Sequence, residues 1–238
     1  MIDDPLKQFE IKELLSLDFF GIPITFTNAS AVMICVVVLA LCLSLYIRYR
    51  NSNRVTMALE LIYSMIVQMV ENTSGEDAKK FVPLIFSVFF FILSCNLFGI
   101  IPFSFTVTSH IAVTFAIAAA LFVLITVLGF VRHGFHYLSL FLPDGVPKIM
   151  APLIIIIELF AYLARPISLS VRLAANMIAG HIVLKVLAGF ILLSGLLGVF
   201  PLLLLTVMTG FEIFIAILQA YIFSILICVY LSDALNLH

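Results

Sequence analysis

Charged residues are scarce in this chain of 238 residues: only 11% are Asp, Glu, Lys or Arg, whereas 64% are hydrophobic. A soluble domain has about 25% charged and about 45–50% apolar residues. No soluble fold of this length has an interior large enough to bury so much apolar surface, so lipid must surround much of the chain. The net charge of −1 gives no attraction to polyanions, which argues against a nucleic-acid partner.

Cysteine is also sparse, and its four positions form neither a CxxC pair nor a set with histidine at ligand spacing. This pattern argues against a disulfide scaffold, and we predict neither a metal centre nor a cofactor. The opening residues, MIDDPLKQFEIKELL, are acidic, whereas a signal peptide begins with a cationic region. We therefore interpret residues 1–28 as an N-terminal segment and not as a signal peptide.

Three stretches are apolar and free of Asp, Glu, Lys and Arg over the ~20 residues that a spanning helix needs. They are 29–47, 81–101 and 111–131. Residues 54–72 keep apolar residues at helical spacing but contain Arg54, Glu60 and Glu71. We predict an interfacial helix there, lying on the membrane surface. A polar loop is predicted at 73–80.

The C-terminal part has two apolar segments, 149–189 and 201–232, that are too long for simple spans. As helices they would extend about 60 Å and about 48 Å, against a hydrocarbon core about 30 Å thick. We therefore predict a hairpin over 149–238 whose helices are either broken or strongly tilted, with its turn at 190–200. The predicted fold is an all-α integral membrane protein with about five membrane-embedded helices and one interfacial helix.

Lysine and arginine are distributed unevenly among the loops. The segments 48–80 and 132–148 contain Lys and Arg, whereas 102–110 and 190–200 contain none. By the positive-inside rule, 48–80, 132–148 and the C-terminus face the cytoplasm or matrix, and residues 1–28 face outward.

The predicted hairpin contains ionisable residues at bilayer depth, where a charge costs about 2.5–3.5 kcal/mol on insertion scales. They are Glu158, Arg165, Arg172, Lys185 and Glu212, together with His181. Such a concentration points to a wet path or a charged partner. For Glu158, Arg165 and Lys185, snorkelling or structural pairing is an equal alternative.

Helical geometry arranges these side chains on two faces. Relative to Arg172, Arg165 lies at about 20°, and Glu158 and Asn176 lie at about 40°. Small residues beside this stripe would let another helix approach closely, although packing within the chain would also explain them. Other polar residues lie elsewhere: Ser170, His181 and Lys185 on the opposite face, and Glu212, Gln219 and Tyr230 on one stripe of the last helix. Tyr230 by itself favours a structural role.

The runs ARPISLSVRLAANMIAGH and FEIFIAILQAYIFSILICVYLSDALNLH closely resemble subunit a of the F-type ATP synthase. The resemblance extends over essentially the whole chain, including PLKQFEIKELL, FTNAS and IPFSFTVTSHI. The sequence is similar in type to the alphaproteobacterial and mitochondrial members of this family.

The resemblance implies the stator half of a proton turbine, with two tilted helices against a ring of c subunits and two half-channels that end at the ring. It matches the family's essential arginine to Arg172, its motif asparagine to Asn176 and its glutamine to Gln219. The half-channel positions match His181 and Glu212. In some bacterial members these two residue types are exchanged, so which of them relays the proton stays open.

The resemblance also implies partners and a location. The partners are the c-subunit ring, the peripheral-stalk subunit b, the remaining F1Fo subunits and membrane lipid, and the location is a bacterial inner membrane or the mitochondrial inner membrane. A stand-alone secondary transporter, a purely structural membrane anchor and a sodium-coupled version of the same subunit are the alternatives. A transporter usually has an internal repeat, and none is visible in the sequence.

Overall fold

A computed structural model describes residues 13–19, 22–49, 54–101, 105–141, 150–193 and 198–236. Two strands, β1 (Glu13–Phe19) and β2 (Ile22–Thr27), precede the helices. The helices are α1 (Asn28–Tyr49), α2 (Arg54–Ser74), α3 (Val82–Ile100), α4 (Ile111–His133), α5 (Ala151–Leu193) and α6 (Val199–Leu235). Short 3-10 helices occupy Glu76–Phe81, Val107–Ser109 and Gly134–Phe141.

Among the described residues, four helical stretches are long and apolar enough to cross a membrane. They are Glu76–Ile100, Ile111–Phe141, Ala151–Ile191 and Val199–Leu235, and Asn28–Cys42 is a shorter apolar helix. The exposed faces of these helices carry large apolar side chains: Phe160 on α5 is 70% exposed and Val131 on α4 is 82% exposed. Surfaces of this kind are stable in lipid and not in water, which confirms the prediction of an all-α integral membrane protein.

The possibility that the long helices are broken is wrong. Helix α5 runs for 43 residues without interruption and contains Pro166, and α6 runs for 37 residues. Pro166 removes one backbone donor, but its ring is buried, and packing of this kind lets membrane helices keep an internal proline. At 1.5 Å per residue the helices extend about 65 Å and about 56 Å, so tilt remains the prediction. Of the predicted turn, residues 194–197 lie outside the described residues.

The predicted polar loop at 73–80 is also wrong. Helix α2 continues to Ser74, and a 3-10 helix follows over Glu76–Phe81. The Ser74 hydroxyl is buried and donates a hydrogen bond of 2.7 Å to the Cys228 carbonyl, so a tertiary contact supports the end of α2. Gly75 takes the positive φ of 78° that the bend between the two helices requires.

A two-stranded hairpin within residues 1–28 was not anticipated from the sequence. Strands β1 and β2 pair antiparallel, with Phe19 opposite Ile22 and Glu13 opposite Thr27, and a register shift lies between Glu13 and Leu15. Residues 1–12 lie outside the described residues.

The chain divides into two compact units. One contains Phe90–Val113 and Leu173–Ala220 together with the residues up to Asn51, and the other contains Ser52–Phe89, Thr114–Arg172 and Tyr221–His238. Fully or almost fully buried side chains define each core. They include Val36, Ile92, Cys95, Met177 and Ala216 in the first unit, and Ile66, Ile85, Ile125, Tyr137 and Ile227 in the second.

Candidate functional site

His181 and Glu212 meet within the first unit. His181 Nε2 lies 3.8 Å from Glu212 Oε1, and the two side chains are only 12% and 6% exposed. The separation is longer than a hydrogen bond but short enough for the charge on one group to affect the other. The contact brings together two residues that lie nearly equally far from the predicted hairpin turn on neighbouring helices.

Gly180 makes room for the Glu212 carboxylate. A Cβ at this position would lie 2.7 Å from Glu212 Oε1 and 3.1 Å from its carboxyl carbon. The residue was not singled out from the sequence, although a glycine inside a helix costs about 1 kcal/mol relative to alanine and so often marks a packing requirement. Gly180 thus determines how closely Glu212 approaches the backbone of α5.

Glu212 also lines a cleft of about 180 Å³ whose walls are otherwise apolar. The cleft is lined by Ala179, Gly180, Val183, Leu184, Met208, Phe211, Glu212 and Ile215. Neither carboxylate oxygen of Glu212 forms a hydrogen bond with a described residue. A buried carboxylate without donors is costly unless it is protonated or hydrated, so the position suits a group that exchanges a proton.

Two buried amides lie in the same unit. Gln219 is 4% exposed and Asn96 is fully buried. The Asn96 Nδ2 donates a hydrogen bond of 3.2 Å to the carbonyl of Ala216, which is one turn beyond Glu212 on α6. Asn96 was not identified from the sequence. The signal that could have identified it is the presence of an amide side chain within the apolar stretch 81–101. Asn96 holds the backbone of α6 beside the acid.

Arg172 is the last residue of the segment Thr114–Arg172 of the second unit, and its side chain is exposed. Among the described residues, none forms a salt bridge with it. Residues on the surrounding turns of α5 are also exposed, and most of them are small: Ala161, Ala164, Ser168, Val171 and Ala175. Asn176, in the first unit, is exposed as well. A guanidinium exposed to lipid is unstable, so Arg172 is a candidate for contact with a partner of opposite charge.

Arg165 and Arg172 differ, although helical geometry placed them on one stripe. Arg165 forms a salt bridge of 2.8 Å to Asp233 within the second unit. The structural-pairing alternative therefore holds for Arg165. Asp233 was overlooked because it lies in the polar-looking C-terminal run LSDALNLH.

The remaining candidates differ in their surroundings: the centre of the Tyr230 ring lies 4.8 Å from the Arg165 guanidinium, and Lys185 lies close enough to His181 for its charge to act on that residue. The Ser170 hydroxyl is buried and donates to the carbonyl of Ile167 in its own helix, so it is satisfied locally. Glu158, Lys185 and Tyr230 are half-buried. Among the described residues, no group of three or more His, Cys, Asp or Glu side chains could hold a metal ion.

Comparison with known protein families adds one decisive finding. The family model of the ATP synthase A chain matches residues 29–232. The chain belongs to this family. It is subunit a of the Fo sector, the proton-translocating stator subunit, and it is not an enzyme by itself. It is therefore a multi-pass component of the F1Fo complex in an energy-coupling membrane.

Family membership decides among the rival functions but assigns no residue. A stand-alone transporter and a structural anchor are not favoured, since the family is a proton-translocating subunit. The match includes Arg172, His181 and Glu212, whereas Asp233 lies just beyond its end at residue 232. The alphaproteobacterial or mitochondrial style stays a prediction.

Proposed function

We propose that Arg172 faces the ion-binding carboxylate of a rotating c-subunit ring and separates two proton half-channels. A rotor carboxylate in lipid is stable only when protonated, so it must be stabilised while it is an anion between the channels. Arginine is charged at any usable pH and does not carry protons. The exposed side chain of Arg172 and the small residues around it support this role, because a rotor helix could pass close to the backbone.

His181 and Glu212 form the proton relay of one half-channel, which opens to the outer side. The support is their 3.8 Å separation, the lack of hydrogen bonds from described residues to the Glu212 carboxylate and the adjoining cleft. Asn176 and Gln219 line the path near the rotor. Glu158, Lys185 and Tyr230 are candidates for its margins. A structural contact that merely hides two polar groups is the competing explanation.

The proposal assigns roles along the chain and a set of partners. The proton path lies on the tilted helices of residues 149–238. The subunit is anchored by residues 29–131, which include an interfacial helix at 54–72. The N-terminal segment 1–28 faces outward, and the loop 132–148 faces the cytoplasm or matrix. The c-ring packs against α5 and α6, and the peripheral-stalk subunit b binds elsewhere. The membrane is a bacterial inner membrane or the mitochondrial inner membrane. A histidine relay near pH 6.5 serves protons and not sodium, so the transported ion is H⁺.

The observation that carries this proposal is the exposed Arg172, which forms no salt bridge with any described residue and lies on a face of small residues. A cysteine at Ala175, next to Arg172 on the exposed face, should form a disulfide with cysteines on the outer helix of a c subunit in the intact complex. A cysteine at Val131, which is 82% exposed on α4, is the matched control and should not. Cross-linking from residue 131 but not from residue 175 would contradict the proposed rotor face.

A further inference from the structure

Arg165 is enclosed by three side chains of the second unit. Its guanidinium lies 2.8 Å from Asp233 Oδ2, 5.1 Å from the centre of the Tyr162 ring and 4.8 Å from the centre of the Tyr230 ring. Both rings are within the range of a cation–π interaction. Only 20% of the Arg165 side chain and 29% of the Asp233 side chain are exposed. The arginine is thus held by an anion and two aromatic faces.

The cage around Arg165 is itself held in place from α4. The Tyr162 hydroxyl lies 2.7 Å from Thr126 Oγ1 and 3.1 Å from the Tyr137 hydroxyl. Tyr137 is 2% exposed and packs where Gly129 leaves no side chain. Because each hydroxyl is fixed by a neighbour, Tyr162 has little freedom to release Arg165. The described groups around Arg165 therefore come from α4, the 3-10 helix after it, α5 and α6.

We propose that Asp233 is a positioning residue for proton translocation: it neutralises Arg165, so that Arg172 alone presents a net positive charge to the rotor on this part of α5. The inference rests on the proposed role of Arg172. The two arginines are seven residues apart, which is about 10 Å along the helix and about 20° around it. Without Asp233, Arg165 would be a second cation on the same stripe.

A second cation would disturb the reaction in a definite direction. A carboxylate near a positive charge has a lowered pKa, so the rotor site would stay deprotonated over a longer part of its passage. Proton pick-up from the half-channel would then need a lower pH. Asp233 prevents this lowering of the rotor carboxylate's pKa, because the negative charge of Asp233 offsets the positive charge of Arg165 in the electric field that reaches the rotor.

The two members of the pair are not equivalent. When Asp233 is removed, Arg165 cannot lose its proton and remains charged. When Arg165 is removed, Asp233 can take up a proton and become neutral. We therefore expect Asp233→Asn to damage pumping more than Arg165→Gln, and the double variant, which carries neither charge, to recover.

The test uses the intact F1Fo complex in membrane vesicles, with the amount of subunit a measured in each preparation. ATP-driven proton pumping is recorded for Asp233→Asn, Arg165→Gln, the double variant and the conservative Asp233→Glu. Passive proton conductance after removal of F1 is recorded as a function of pH. Asp233→Asn should lower pumping at least about fivefold and shift the conductance profile towards acid, as expected when a second positive charge lowers the pKa of the rotor carboxylate. The double variant should regain at least half of the wild-type rate and the wild-type pH profile, and Asp233→Glu should pump.

Several results would overturn the inference. If the double variant is as inactive as Asp233→Asn, then Asp233 acts by itself, for example as a proton carrier. If Asp233→Asn pumps normally, the Arg165–Asp233 pair has no role in translocation. If Asp233→Asn lowers the amount of subunit a in the complex but does not shift the pH profile of proton conductance, the pair is only structural. If the Asp233→Asn subunit does not accumulate in the membrane, Arg165→Gln serves as the test. An Arg165→Gln subunit that is present at the normal level but does not pump protons would also contradict the inference. Pumping by Arg172→Ala would instead refute the proposed function.

Discussion

The imidazole of His181 and the carboxylate of Glu212 face each other with 3.8 Å between Nε2 and Oε1. One group is ordinarily a cation when protonated and the other an anion when deprotonated, so the pair can pass a proton without creating an isolated buried charge. The cleft that Glu212 lines is otherwise apolar, and Lys185 lies close enough to His181 for its charge to act on the imidazole. The relationship explains why both groups tolerate an environment in which either would be unstable by itself.

Exchange of the relay members tests their shared function. His181→Glu and Glu212→His should each lower ATP-driven proton pumping about tenfold or more, in line with the usual loss of a general acid or base. The double exchange keeps both titratable groups on the path and should recover a substantial part. If pumping by Glu212→Ala equals that of the unaltered chain, Glu212 carries no proton.

Replacement of Arg172 tests the separation of the half-channels. Arg172→Ala should leave a complex that assembles and hydrolyses ATP but does not acidify vesicles, because nothing then stabilises the rotor anion. Arg172→Lys should also fail largely, since a desolvated lysine can lose its proton. The measurement is ATP-driven acidification normalised to the amount of subunit a. Near-normal acidification by Arg172→Ala would remove the basis of the proposed mechanism.

Gly180→Ala tests the position of the Glu212 carboxylate with a single methyl group. The new Cβ would lie 2.7 Å from Oε1, so the carboxylate must rotate away while the backbone remains. We expect pumping to fall several-fold with an unchanged amount of subunit, because a displaced proton donor reacts more slowly.

Gly189→Ala is the matched control on the same helix, since its Cβ would meet nothing within 4 Å. Both substitutions raise helix propensity by roughly 1 kcal/mol, so a difference between them reports the contact with Glu212. Equal activity of the two variants would show that the Glu212 position is not critical.

Gly129→Ala tests the support behind the Arg165 cage. The added Cβ would overlap the ring of Tyr137, which is 2% exposed. Overpacking of this kind typically costs about 1–3 kcal/mol. Subunit a should therefore be lost from the detergent-solubilised complex at a lower temperature than in the unaltered complex. Gly210→Ala, with nothing within 4 Å of its Cβ, should not lower that temperature.

Much of the candidate site was predictable from the chain itself. The low fraction of charged residues predicted that lipid surrounds much of the chain, and the length of the apolar runs predicted membrane-spanning helices. The His181–Glu212 contact could be anticipated because the two residues are nearly equally far from the hairpin turn. Gly180 and Asn96 were missed, since their roles depend on what lies opposite them: a carboxylate in one case and the Ala216 carbonyl in the other.

Amino-acid composition, periodicity and motifs determined the membrane class, the family resemblance and the residues able to carry charge through lipid. These follow from local physics: the cost of burying a charge and the pitch of a helix. Only the tertiary structure decided which of two arginines on one stripe is neutralised. A helical wheel gives the direction of a side chain but not its partner, and Asp233 reaches Arg165 from 68 residues away along the chain. The same reason explains the unbroken α5: whether a proline interrupts a helix depends on what packs around it.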